Sequence, residues 1–131
     1  MDRTPAVVGL TLCDLVIDEA ITHKLSLVGS FTEILVDELP GLAEPFSAVA
    51  FLTDAQGVID LELQVADAVT NELVEVRYHR VYSPNPLAVV YCKLQVKHCS
   101  FPSPGVYFFS LWAGPDVIAE RRAVVRRGSR P

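Results

Sequence analysis

The chain has 131 residues, half of them apolar and 21% charged, with a formal net charge of −5 at pH 7. That length suits one domain around one core, and the apolar content excludes a disordered or low-complexity chain. The acidity argues against nucleic acid as a partner, and no apolar run approaches the roughly 20 residues of a membrane-spanning helix.

Met1 to Pro5 has no basic stretch leading into an apolar segment, so no secretory signal is expected and the cytoplasm is the expected location. Cys13, Cys92 and Cys99 form an odd, sparse set, which suits buried reduced thiols better than a disulfide framework. Charge is uneven along the chain. Up to Glu72, thirteen acids face only Arg3 and Lys24, whereas beyond it nine bases face Glu75, Asp116 and Glu120. Strands of a sandwich interleave in space, so this asymmetry in sequence does not by itself create two charged faces.

Short β-branched and aromatic runs cut by Gly, Pro, Asn and Asp dominate, and no long stretch has a helical period. Val7 to Asp18 and His23 to Phe31 read as a hairpin, with Gly29 marking a bulge or a close backbone approach. Asp37 to Pro45 reads as a loop because its two prolines lack ladder amides. Phe46 to Thr53 and Val58 to Ala66 flank Asp54-Ala55-Gln56-Gly57, a turn of the length expected between hairpin strands. Within the second run, Ile59, Leu61, Leu63 and Val65 alternate with Asp60, Glu62 and Gln64, which sets one face on the core.

Leu73 to Tyr82 alternates as well, with Val74, Val76 and Tyr78 on one face and Glu75, Arg77 and His79 on the other. Val90, Cys92, Leu94 and Val96 alternate with polar neighbours, which points Cys92 inward. Val106 to Trp112 is apolar on both faces, so it is expected to be central or to lie under an interface. Val117 to Val125 forms a last strand, and residues 126–131 are expected to be a flexible basic tail. The sum is one all-β domain, 1–131, of about seven or eight strands, expected to be a two-sheet antiparallel β-sandwich rather than a barrel. Immunoglobulin-like, fibronectin-like and transthyretin-like forms remain open; Trp112 follows all three cysteines, which disfavours an antibody-type domain.

Few residues suggest chemistry. Cys92, His98 and Cys99, with His79 on the preceding strand, have the ligand types of a zinc site, but no Cys-x-x-Cys pair is present. Regular alternation would also send Cys92 and Cys99 to opposite faces. Cys13 lies beside Asp14, which raises its pKa and makes it a poor nucleophile. The acidic pairs Asp18-Glu19, Asp37-Glu38 and Asp60 with Glu62 read as solvated turns and faces. There is no phosphate-binding Gly-rich loop, no G-x-S-x-G elbow and no H-E-x-x-H helix, so catalytic, metal and cofactor-binding residues are all expected to be absent. Arg121 and Arg122 fall on alternate faces of one strand and, with Arg126 and Arg127, read as a polar edge.

Several ordered segments, L-C-D-L-V-I-D-E, H-K-L-S-L-V-G-S-F, A-F-L-T-D-A-Q-G, L-E-L-Q-V-A-D and P-G-V-Y-F-F-S-L-W-A-G, resemble an uncharacterised family of small bacterial all-β proteins, a domain of unknown function. The resemblance covers almost the whole chain. It departs at His23-Lys24, where the family has Gly-Lys. It implies fold and bacterial origin and carries over no activity.

The expected function is a non-catalytic cytoplasmic protein-binding or scaffold module that acts through Val106, Tyr107, Phe108, Phe109, Trp112, Arg121 and Arg122. The alternatives are a subunit that assembles with copies of itself, and a metal- or thiol-dependent enzyme using Cys92, His98, Cys99 and His79. A protein partner or homo-oligomer is expected, with no membrane and no cofactor.

Overall fold

The computed structural model describes residues 4–128. Eleven strands follow one another: β1 (Ala6–Asp18), β2 (Leu25–Ser30), β3 (Glu33–Val36), β4 (Gly41–Leu42), β5 (Phe46–Thr53), β6 (Gly57–Asp67), β7 (Leu73–Ser83), β8 (Val90–Val96), β9 (Ser100–Phe101), β10 (Gly105–Ala113) and β11 (Asp116–Arg127). One sheet has the order β2-β1-β5-β8 and the other β3-β11-β10-β6-β7, while β4 and β9 form a small ribbon. The all-β sandwich is present, with more strands than expected because the Pro-rich loop contributes β4 to that ribbon and β3 stands as a strand of its own.

Alternation builds the core. Ile59, Leu61, Leu63 and Val65 of β6 and Cys92, Leu94 and Val96 of β8 turn inward, where they join Leu10 and Leu12 of β1 and Ala48, Ala50 and Leu52 of β5. β10 occupies the middle of the five-stranded sheet. Its Tyr107, Phe109 and Leu111 are fully buried. Phe46 stands edge-on to both Phe31 and Phe109, and Phe101 edge-on to Tyr107, geometries that favour the ring quadrupoles. The Tyr107 hydroxyl donates to the Ser103 carbonyl at 2.7 Å, so its burial leaves no polar atom stranded.

Three pairs of strands are hairpins: β1 with β2, β6 with β7 and β10 with β11. The Asp54–Gly57 turn is not one, contrary to its length. Asp54 (φ 57°) and Gly57 (φ 82°) are left-handed, and the chain swings between them from the first sheet to the second. β5 pairs instead with β1 and β8. Gly29, at φ 71°, is a true close approach, because a Cβ there would collide with the Asp14 carboxylate.

Two further expectations are corrected. The sandwich is not wholly antiparallel, since β3 crosses over to pair in parallel with Val124–Arg127 of β11. That pairing also removes Arg126 and Arg127 from the expected tail, because β11 continues through both. Arg126 is ion-paired to Glu33 at 2.8 Å and the Gly128 amide donates to the Val36 carbonyl. Residues 129–131 of that expectation lie outside the described residues.

Phe109→Ala removes a fully buried ring from the middle of the core and is expected to destabilise the domain by about 3–5 kcal/mol, read as a lowered midpoint in urea unfolding.

Candidate functional site

The cysteine and histidine positions come first, since they carry the enzymatic alternative. Cys92 points inward from β8 and is fully buried. Cys99 is buried too, because β8 ends at Val96 and His98 adopts a left-handed conformation (φ 61°) that resets the alternation. His98 itself is exposed. His79 lies on β7 opposite Leu61. Among the described residues, no three His, Cys, Asp or Glu side chains gather in a way that would hold a metal ion. Cys92, His98, Cys99 and His79 are thus not brought together as such a group among the described residues.

Burial pushes the Cys92 and Cys99 thiols up to about 12, with the Glu75 charge adding to the effect at Cys99 and Arg77 opposing it. Cys13 is raised as well, chiefly by burial, with a smaller push from Asp14. Cys13 lies outside the main core cluster. It pairs with Ser47 on β5, and farther along β1 the Tyr91 hydroxyl of β8 donates to Asp18. All three cysteines are free and buried, and burial holds each thiol above its ordinary value.

The expected interaction strand divides by face. Tyr107 and Phe109 belong to the core and present nothing to a partner, whereas Val106, Phe108 and Trp112 lie on the outer face of the second sheet. Around them the pairing assembles two bands of mostly apolar residues, each with one charged member. Tyr78, Glu62, Trp112 and Val117 follow one another across one band, and Leu73, Ala66, Phe108 and Arg122 across the other, with Val106 and Val124 beyond. Gln64, Ser110 and Glu120 run between them. The Trp112 indole donates to Ser110 Oγ at 3.2 Å and so leans over this polar row. Tyr78 is 75% exposed, Tyr82 65% and Val58 59%.

Of the face that Val74, Val76 and Tyr78 share in the sequence, Val74 packs against the core at the bulge, whereas Val76 and Tyr78 turn outward. The inward positions opposite Leu63 and Val65 are Arg77 and Glu75. β7 is an edge strand, and its inward charges sit at the rim, paired with each other at 2.7 Å, with Arg77 also donating to the Lys97 carbonyl. Inward charge on an edge discourages edge-to-edge aggregation.

Arg121 and Arg122 part company as expected. Arg122 is exposed on the outer face opposite Phe108, while Arg121 turns inward and donates to the Leu10 carbonyl of β1 at 2.8 Å. Around this bridge runs an open groove of about 810 Å³, lined by Val7, Gly9, Leu10, Phe108 and Ile118 to Arg122. No sequence pattern marks the groove, because it arises where strands of two sheets separate.

A model of a family of unknown function, DUF6941, matches residues 9–126. The chain belongs to that family. No curated protein matches it in sequence. Among solved structures, a β-glucosidase from Listeria innocua in complex with glucose is similar over 72% of this chain, at 12% identity and TM-score 0.51. A mutant of that enzyme in complex with laminaribiose is similar over 93%, at 11% identity and TM-score 0.53. The DUF6941 chain spans only 14% and 16% of those two enzymes, and the likeness is one of fold alone. An immunoglobulin-like protein from Pseudomonas aeruginosa aligns with 95% of this chain and 98% of its own, at 12% identity and TM-score 0.45.

For the DUF6941 domain, a thiol-reactive dye at pH 7 is expected to label no cysteine in the folded state and all three after unfolding in urea. The pH dependence follows from the raised thiols. The folded state holds these protons more tightly than the unfolded chain, so their contribution is intact below the ordinary thiol value of 9.0 and is lost as pH climbs towards about 12. The urea midpoint is therefore expected to fall as pH rises past 9, and to fall less steeply in Cys92→Ala.

Proposed function

We propose that this domain is a non-catalytic protein-binding module of the bacterial cytoplasm that docks a partner on the outer face of its second sheet. The observation that carries the reading is the pair of mostly apolar bands on that face, with Tyr78 strongly exposed and the partly buried Trp112 across Glu62 from it and Phe108 in the second band. Aromatic side chains of this kind dominate the energetics of protein interfaces, since they bury large area at low entropic cost. An apolar face with charge at its margin, here the Arg80–Asp60 pair, suits a partner that arrives and leaves as a folded protein. Three free buried thiols accord with a reducing compartment. No helix of the described residues is long and apolar enough to cross a membrane.

The test is affinity purification from the native host of the tagged parent and of Tyr78→Glu, with the bound proteins weighed against an untagged control. Tyr78 is exposed, so its substitution should leave stability within about 0.5 kcal/mol. A stoichiometric partner with the parent, depleted at least about tenfold with Tyr78→Glu, is the expected result. Recovery of only the chain itself would move the reading to self-assembly. A partner indifferent to Tyr78 would remove this face from consideration.

A further inference from the structure

Both strands that flank the open groove have half-length neighbours. β2 pairs with β1 only over Cys13–Asp18, and β3 pairs with β11 only over Val124–Arg127. The chain passes from β2 to β3 at Phe31 and Thr32, and above that crossing no strand of the described residues covers either edge. Backbone direction follows by alternation. The Val124 amide donates to the Thr32 carbonyl, so the amides and carbonyls of Arg122 and Glu120 point to the same, uncovered side. On the facing strand the Leu10 carbonyl points into the groove and is held by Arg121.

We propose that the open edge of β11 at Glu120–Arg122 accepts an extended segment of a partner protein as an additional strand, with a carboxylate of that segment beside Arg122. The guest continues the line of β3, its amide and carbonyl groups meeting those of Glu120 and Arg122. Alternate side chains enter the groove over Leu10 and Ile118. The regular stretch Ala119–Arg122 admits about four residues, roughly 13 Å of strand, because a bulge interrupts β11 just before it.

Charge selects the guest. Among the described residues Arg122 has no ion pair, Arg121 is engaged by a neutral carbonyl, and Glu120 is the one acid in the lining. A second copy of the chain is the competing occupant: antiparallel self-pairing centred on Glu120 opposes like charges, whereas centring on Arg121 also sets each Glu120 against Arg122 of its copy, so a measurement of dimerisation separates the two. The inference rests on the protein-binding reading but on the free edge of the second sheet, which meets the outer face at Phe108 and Arg122, and Tyr78, which lies on the outer face and not in the groove, separates the two.

A displayed library of random nonapeptides selected on the full chain provides the probes. Each enriched peptide, synthesised with a fluorophore, is titrated against the parent, Arg122→Glu, Arg122→Lys, Glu120→Pro and Tyr78→Glu, with thermal melting as a check that each variant folds. Enriched peptides are expected to alternate apolar residues with Asp or Glu and to slow amide exchange at Glu120 and Arg122. They should bind Arg122→Glu at least about tenfold more weakly, recover with Arg122→Lys and ignore Tyr78→Glu. Glu120→Pro deletes the outward amide and should abolish binding; if it fails to fold, the Arg122 pair decides alone. No enriched peptide, or peptides indifferent to Arg122, would overturn the inference. Peptides that depend on Tyr78 and not on Arg122 would overturn it while upholding the outer face. Concentration-dependent dimerisation that protects the same amides would replace the partner segment with a second copy.

Discussion

The stacking of aromatic rings between the two sheets is the contact on which the rest of the molecule depends. Phe109 of the central strand meets Phe46 of the opposite sheet, and Phe46 in turn meets Phe31 where the chain crosses from one sheet to the other. Those rings hold the sheets at one relative position. With β10 fixed on its inner face, β6 and β11 are fixed by pairing on either side, and the parity of every side chain on them follows. The crossing at Phe31 is anchored by the same cluster, which is why β2 and β3 each stop half-way along their neighbours.

Much of this was legible in the sequence, and the exceptions have identifiable causes. The alternation in β6 and β8 placed Ile59, Leu61, Leu63, Val65, Cys92, Leu94 and Val96 on the core, because a strand with one wet face has only one register that works. β10 gave no such signal: it is apolar on both faces, so periodicity showed a central strand without showing that Tyr107 and Phe109 point in while Phe108 and Trp112 point out. The Asp54–Gly57 turn looked like a hairpin because loop length does not report whether the flanking strands share a sheet. In β7 the apolar face was visible but its direction was not. A bulge between Val65 and Ala66 shifts the pairing, and the charges at the rim reach solvent from the inward side.

The candidate site was legible in the same proportion. Val106, Phe108, Trp112 and Arg122 lie where an outward-facing surface would need them, while the contribution of β7 through Tyr78 depended on a strand orientation that only tertiary packing decides. Cys99 shows the opposite case. A strand rule sent it away from Cys92, and one left-handed residue, His98, returned it to the interior.

The charge asymmetry along the chain finds its physical meaning in the pairing. Acids of the N-terminal part and bases of the C-terminal part are brought together by neighbouring strands: Asp60 of β6 with Arg80 of β7, and Glu33 of β3 with Arg126 of β11. Exposed pairs like these add little stability, yet opposite charge across a pairing disfavours the wrong neighbour and so helps to specify strand order. The rule predicts that each arginine of β11 should face an acid on the strand beside it. It holds for Arg126, which reaches Glu33 on β3, and fails for Arg127, which stands opposite Val36. At Arg122 β3 has not yet begun, so there the arginine and the edge of β11 are both left without a neighbouring strand, and that coincidence makes this edge the least complete part of the second sheet.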